Sequence, residues 1–232
     1  METLAPEFRV IAADSYGAGK SPPWPTDRTV FLRDEVALLE PVFARTSGSF
    51  SLVAHSYGAA VALIVALEQP DRVRALALYE PVLFALLDRE SPPPNDADGI
   101  RGAVADAIAA LEAGNPAGAA RCFIDFWMGS GSWEAMSEKR KGPITNSIGN
   151  IRGWANALLS EPTPLQAFSQ LNIPVLYMMG EASPASSRGV ARLLTRVLPH
   201  VEVVEFEGLG HMGPVTHPDV VNDAIFRFLN RG

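Results

Sequence analysis

One cysteine in 232 residues leaves nothing for an internal disulfide to pair with. Cys122 therefore fits a reducing compartment, and a cytoplasmic location is the expectation. Histidine is scarce too: the four are His55, His200, His211 and His217, and with one cysteine they offer no metal-ligand spacing. No metal is expected. Basic charge is in short supply, with 19 Lys and Arg against 26 Asp and Glu and a net charge of −7. Such a chain has no electrostatic footprint for nucleic acid. Its only dense basic run, Lys139-Arg140-Lys141, follows Glu138 and reads as a solvated loop. No apolar run approaches a membrane span, the opening "METLAPEFRV" holds no apolar signal segment, and no repeat or low-complexity tract occurs. No membrane partner is expected. What remains is 47% hydrophobic residues, enough for one domain with a proper core, with or without an insertion.

One stretch suggests a phosphate site. "FRVIAADSYGAGKSPPW" leads an apolar run into Gly19-Lys20-Ser21, close to the G-x-x-x-x-G-K-[ST] loop. The first glycine position, however, holds Asp14, a carboxylate where a phosphate would sit. Pro22, Pro23 and Pro25 then deny the loop the helix N-terminus that such an anion faces. The stretch reads as a strand ending in a tight turn.

Period and punctuation give an alternation of strands and helices. "FRVIAA" is a buried-strand candidate and "TVFLRDEVALLEPVFAR" a helix bent at Pro41. The strand "SFSLVAH" runs straight into the helix "YGAAVALIVALEQ", which Pro70 stops, and "VRALALY" is the next strand. "IPVLYMM", "SSRGVARLLTRVL", "VEVVEF" and "HPDVVNDAIFRFLNR" complete the pattern. Apolar strands separated by helices imply an α/β fold with a mostly parallel sheet flanked by helices. Between them, residues 84–171 carry helical patterns and Gly/Pro-rich joints without a convincing strand. One of these helices starts at Asn115 as N-cap with Pro116 behind it. The expected organisation is a core of residues 1–83 and 172–232, with 84–171 inserted as a helical lid.

The tetrapeptide Ser-Tyr-Gly-Ala occurs twice, at 15–18 and 56–59. Only the second lies directly between a strand and a helix. There Ala54-His55-Ser56-Tyr57-Gly58 is a small-x-Ser-x-small pattern, a nucleophile elbow with alanine for the first glycine. Small residues two places either side are expected to relieve a crowded turn. The turn would hold the Ser56 hydroxyl at the carboxyl end of the sheet, above a helix N-terminus. From about Phe8 to Leu229 the chain resembles the α/β-hydrolase fold family. "FSLVAHSYGAAVALIVALEQPDRVRALALYEP" looks like that family's elbow strand, helix and following strand. "GLGHMGP" is similar to its histidine loop, and "RVIAADSYGAGKS" to its D-x-x-G-x-G-x-S corner.

The resemblance implies a serine hydrolase acting on an ester-like carbonyl of a small or medium apolar substrate, without a cofactor. His211, late in the order Ser, acid, His, is the expected base. The family's usual acid position reads Ser183, and serine cannot stabilise an imidazolium as a carboxylate does. Two carboxylates end strands between Ser56 and His211: Glu80, where some members place a glutamate, and Glu181. Glu80 is the expected acid, with Glu181 and no acid at all as alternatives. The backbone N–H of Tyr57 would be one oxyanion donor. The second normally comes from an earlier His-Gly loop, and no such motif precedes Phe8. The resemblance also places a further strand between "FRVIAA" and "SFSLVAH". The expectations are that the first pairs directly with the second, that an added segment fills the gap, or that the chain aggregates when made alone, and that an upstream extension restores solubility and activity. Phe84, Trp127, Trp133 and Trp154, with Phe123 and Met128, are the candidate apolar lining, helical core being the alternative for each. Ser183 and the missing oxyanion loop would also suit a non-catalytic binding or assembly protein.

Overall fold

The computed structural model of the protein describes residues 4–25 and 27–231. Four parallel strands form one sheet in the order β1-β2-β3-β4: Phe50–His55, Val73–Tyr79, Val175–Gly180 and Val201–Phe206. Helix α1 (Leu32–Phe43) precedes β1 and runs through Pro41 into its last turn. Helix α2 (Ser56–Glu68) joins β1 to β2. Between β2 and β3 come only helices: α3 (Ala85–Glu90), α4 (Asp98–Glu112), α5 (Pro116–Met128), α6 (Ser132–Ala135), α7 (Glu138–Ser147) and α8 (Ile151–Leu159), with two short 3₁₀ turns. Asn115 caps α5, its side chain accepting from the Gly118 N–H at 2.8 Å. Helix α9 (Ala185–Val197) joins β3 to β4, and α10 (Gly213–Thr216) and α11 (Pro218–Leu229) follow.

The two-residue period of a strand divides the core. Leu76, Leu78, Val175 and Tyr177 face one side, where α1, α2, α9 and the helical segment bury a large apolar cluster. Ala77, Tyr79, Leu176 and Met178 face the other, covered by Val221 and Ile225 of α11. Helix α2 has no polar stripe because both its sides are covered; Ala59 to Ala66 are all buried. Within the helical segment, α4 and α5 pack on one another, while α8 touches α2 and α4 touches α9.

Residues 8–13 differ from the expectation of a buried strand. They are extended but unpaired, and Arg9 to Ala13 are exposed. An apolar run becomes a strand only where a neighbour accepts its backbone hydrogen bonds. Here Phe8 packs edge-on against Phe226 of α11 instead, with ring centroids 6.4 Å apart. The run does not pair with β1, which is an edge strand among the described residues, with Val53 44% exposed.

Candidate active site

Strand β1 ends at His55 and α2 begins at the next residue. That junction holds Ser56 at φ 56°, in the left-handed region. An L-residue there costs roughly 1–2 kcal/mol. Tyr57 comes next, in the first turn of α2, where N–H groups have no intrahelical acceptor. Gly58 does not answer to crowding: a Cβ there would meet nothing within 4 Å outside its own helix. No further described strand lies beyond β1 to press on that side of the elbow.

The loop after β4 brings His211 back over the sheet end. Its Nε2 lies 2.8 Å from Ser56 Oγ, and its Nδ1 lies 2.7 Å from Glu80 Oε2. With Nδ1–H donating to the carboxylate, Nε2 is the acceptor for the Ser56 hydroxyl. Glu80 sits one residue past β2, wholly buried, and like Ser56 it has a positive φ, 45°. Its other oxygen, Oε1, accepts from the Gly180 N–H at 2.7 Å and from Ser183 Oγ at 2.5 Å. Burial alone would raise the Glu80 carboxyl. The hydrogen bond and charge of His211, joined by Gly180 and Ser183, outweigh burial and hold it below the usual range. Gly180 is there for close approach, because a Cβ would come 2.3 Å from the Leu209 carbonyl of the histidine loop. Glu181 is placed elsewhere: it is exposed, and its carboxylate accepts from the Gly208 N–H at 3.0 Å.

A second histidine supports the first. His55 Nε2 donates to the His211 carbonyl at 2.8 Å, and the two rings lie 4.8 Å apart. Burial, then the neighbouring His211, lowers the His55 pKa to about 4, so it is neutral near pH 7. Tyr79 donates to the Gly210 carbonyl at 2.8 Å, fixing the same loop.

Of the four candidate lining aromatics, Trp127 comes closest to the chemistry. Its ring stacks on His211, centroids 3.9 Å apart at 27°. Phe84 is buried behind Trp127, and Trp133 is buried under the Lys141 ammonium, 5.6 Å from its ring centre. Both are packed interior. Trp154 is half-buried and meets Phe123 and Trp24 at 6.4 and 6.5 Å.

Three residues near the elbow escaped the sequence. Trp24, hidden among prolines, packs edge-on against Tyr57 at 6.5 Å. Ser183 carries no charge and so gave no sign that it would serve the acid. Glu35, on the buried face of α1, is 1% exposed. It accepts from Tyr57 Oη at 3.1 Å and from the Tyr16 N–H at 3.2 Å. Burial raises its pKa, with the Tyr16 and Tyr57 bonds opposing. The same surroundings, burial first, push the Tyr57 phenol well up. A glutamate in an amphipathic helix signals only a solvated face, so neither role was legible. Among the described residues, no group of three or more His, Cys, Asp and Glu is arranged to hold a metal ion. No helix there is long and apolar enough to cross a membrane.

Known proteins agree with this architecture. The chain is 37% identical over 81 residues to the lipase LipV of Mycobacterium tuberculosis, covering 34% of this chain and 29% of that protein. It thus spans under a third of that curated relative's length. The non-heme chloroperoxidase of Streptomyces lividans is 28% identical across 97% of this chain and 83% of its own length. The crystal structure of an alpha/beta hydrolase from Sphaerobacter thermophilus superposes with a TM-score of 0.71 at 25% identity, covering 98% of this chain and 84% of that one. The family model for the alpha/beta hydrolase fold matches residues 1–218, and the chain belongs to that family.

Proposed function

We propose that this protein is a serine ester hydrolase in which Ser56 is the nucleophile, His211 the general base and acid, and Glu80 the orienting carboxylate. The observation that carries the reading is the unbroken chain of contacts from Ser56 Oγ through both nitrogens of His211 to Glu80, at 2.8 and 2.7 Å. Ser56 Oγ attacks the ester carbonyl while His211 Nε2 takes its proton. The carbonyl π electrons move onto oxygen, and the Tyr57 N–H stabilises that oxyanion. As the tetrahedral adduct collapses, the C–O bond to the alcohol breaks and His211 returns the proton to the leaving oxygen. Water then attacks the acyl-enzyme by the same route, releasing the acid and restoring Ser56. The imidazolium formed midway is held between Glu80 and the face of Trp127, both favourable to a cation.

Residues 84–171 serve as the lid in this reading, since Trp127 of α5 lies directly on His211. The substrate is a small or medium apolar ester, its site lined by Trp127, which stacks on the base, and by Trp154, half-buried beside Trp24 and Phe123. Ser183 no longer favours a non-catalytic protein, because its hydroxyl serves Glu80 rather than replacing it. A fluorophosphonate probe tests the proposal: stoichiometric labelling of the native chain, mapped by peptide mass to Ser56, is expected. A folded chain that stays unlabelled overturns it.

A further inference from the structure

Five aromatic side chains form a continuous arc beside Ser56. It starts at Tyr57, the next residue, and passes to Trp24 at 6.5 Å. From there it runs to Trp154 at 6.5 Å, to Phe123 at 6.4 Å and to Trp127 at 6.0 Å. It ends on the imidazole of His211, 3.9 Å from Trp127. The arc therefore begins at the residue after the nucleophile and finishes on the base. A group attached to the carbonyl that Ser56 attacks meets these rings where it projects toward α5 and α8, which carry Phe123, Trp127 and Trp154.

Four of the five rings are not closed core, whereas Trp127 is buried at 7% exposure. Trp24, Tyr57, Phe123 and Trp154 are each half-buried, so ring faces and edges remain open. Three of the four mutual angles are steep: 62° for Trp24 with Tyr57, 89° for Trp24 with Trp154 and 76° for Phe123 with Trp127, while Phe123 and Trp154 are tilted at 37°. Steep pairs present an edge of one ring beside the face of the next, the arrangement an added aromatic ring prefers to join. An alkyl chain gains area from the same surface but no quadrupole match.

Charge narrows the class further. Among the described residues, no Lys or Arg hydrogen-bonds or ion-pairs with Ser56, Tyr57, His211 or any ring of the arc. The acids nearest the reaction are Glu80, on His211, and Glu35, on the Tyr57 hydroxyl. Nothing there would neutralise an anionic substrate.

We propose that this site takes neutral esters bearing an aromatic ring close to the scissile carbonyl, and that Trp24 and Trp154 set the preference. The proposal rests on the hydrolase reading above. A matched set of substrates without an aromatic leaving-group artefact tests it: ethyl phenylacetate against ethyl hexanoate, and benzyl acetate against hexyl acetate, monitored by pH-stat. The aromatic ester of at least one pair should have the higher kcat/KM, by about 10-fold. Trp24→Leu and Trp154→Leu, which keep apolar bulk but lose the ring, should each lower that ratio about 2- to 10-fold, the worth of one aromatic pair. Alkyl esters turned over as well as both aromatic ones, or a ratio unmoved in both variants, overturns it. Calorimetry of the same esters on Ser56→Ala protein separates this inference from its parent. If the native chain hydrolyses none of the four, the hydrolase reading falls, and tighter binding of an aromatic ester still supports the arc. Equal binding ends it.

Discussion

Ser-Tyr-Gly-Ala at 15–18 and the same four residues at 56–59 meet opposite fates. In the second copy the serine itself takes the positive φ, because β1 delivers it straight into α2. In the first copy Ser15 is spared and Gly17 takes the positive φ, 72°, in a turn closed by its N–H on the Pro22 carbonyl at 2.8 Å. The tetrapeptide does not choose. Its downstream neighbours do: Ala60 to Glu68 propagate a buried helix, whereas Pro22, Pro23 and Pro25 forbid one. The two copies nevertheless touch one residue in common, since Glu35 holds Tyr57 with one oxygen and Tyr16 with the other.

The sharpest test of this contrast exchanges one atom in each copy. Ser56→Ala should lower ester turnover roughly 10⁴- to 10⁶-fold, and Ser15→Ala should leave it within about two-fold. Comparable losses in both would erase the distinction. Only in the second copy does the serine reach a carboxylate through a histidine, so Glu80→Gln comes next: a fall in kcat of about 10⁴, by loss of the correct imidazole tautomer. Glu181→Gln, tied only to Gly208, should stay near the native rate, and the reverse ranking would reassign the acid. Removing the hydroxyl that serves Glu80 is milder. A hydrogen bond to a charged group contributes about 1.5–3 kcal/mol, so Ser183→Ala should lower kcat by at most about 10- to 150-fold, measured with a single ester at saturation.

The smallest effect concerns the residue that the two copies share. Glu35 has a folded pKa raised by burial. As pH rises, the unfolded chain loses this proton first, near 4.3. The native state is therefore progressively disfavoured up to the folded pKa, and the loss persists above it. Glu35→Gln should remove that penalty while keeping an acceptor for Tyr57. The difference in melting temperature between variant and native chain should grow from pH 4 to pH 8. A difference constant with pH would mean that Glu35 is not charged more readily on unfolding.

The sheet and its helices were legible because period and punctuation agreed. "SFSLVAH", "VRALALY", "IPVLYMM" and "VEVVEF" each became a strand, and every one has a parallel neighbour to pair with. "FRVIAA" has a similar apolar make-up and failed, because pairing is a property of the neighbour and not of the run. At the site, Ser56, Glu80 and His211 each end or follow a strand, and sheet ends converge in an α/β fold, so position together with the family resemblance brought them into view, with Glu181 left as an alternative to Glu80. Ser183, Glu35 and Trp24 act through contacts 19 or more residues away or from a proline-rich loop, which leave no local pattern.

Among the described residues, the non-glycine positions with positive φ are Ser56 and Glu80. Glycine would fit either turn with less strain, by about 1–2 kcal/mol. The chain therefore keeps its least comfortable backbone beneath the two side chains that flank His211. Glycine at either position would relieve its turn but delete the side chain beside His211, and at Glu80 it would also strand the Gly180 N–H and the Ser183 hydroxyl. Efforts to harden this fold have more room in its surface and helix caps than in the two turns from which Ser56 and Glu80 reach His211.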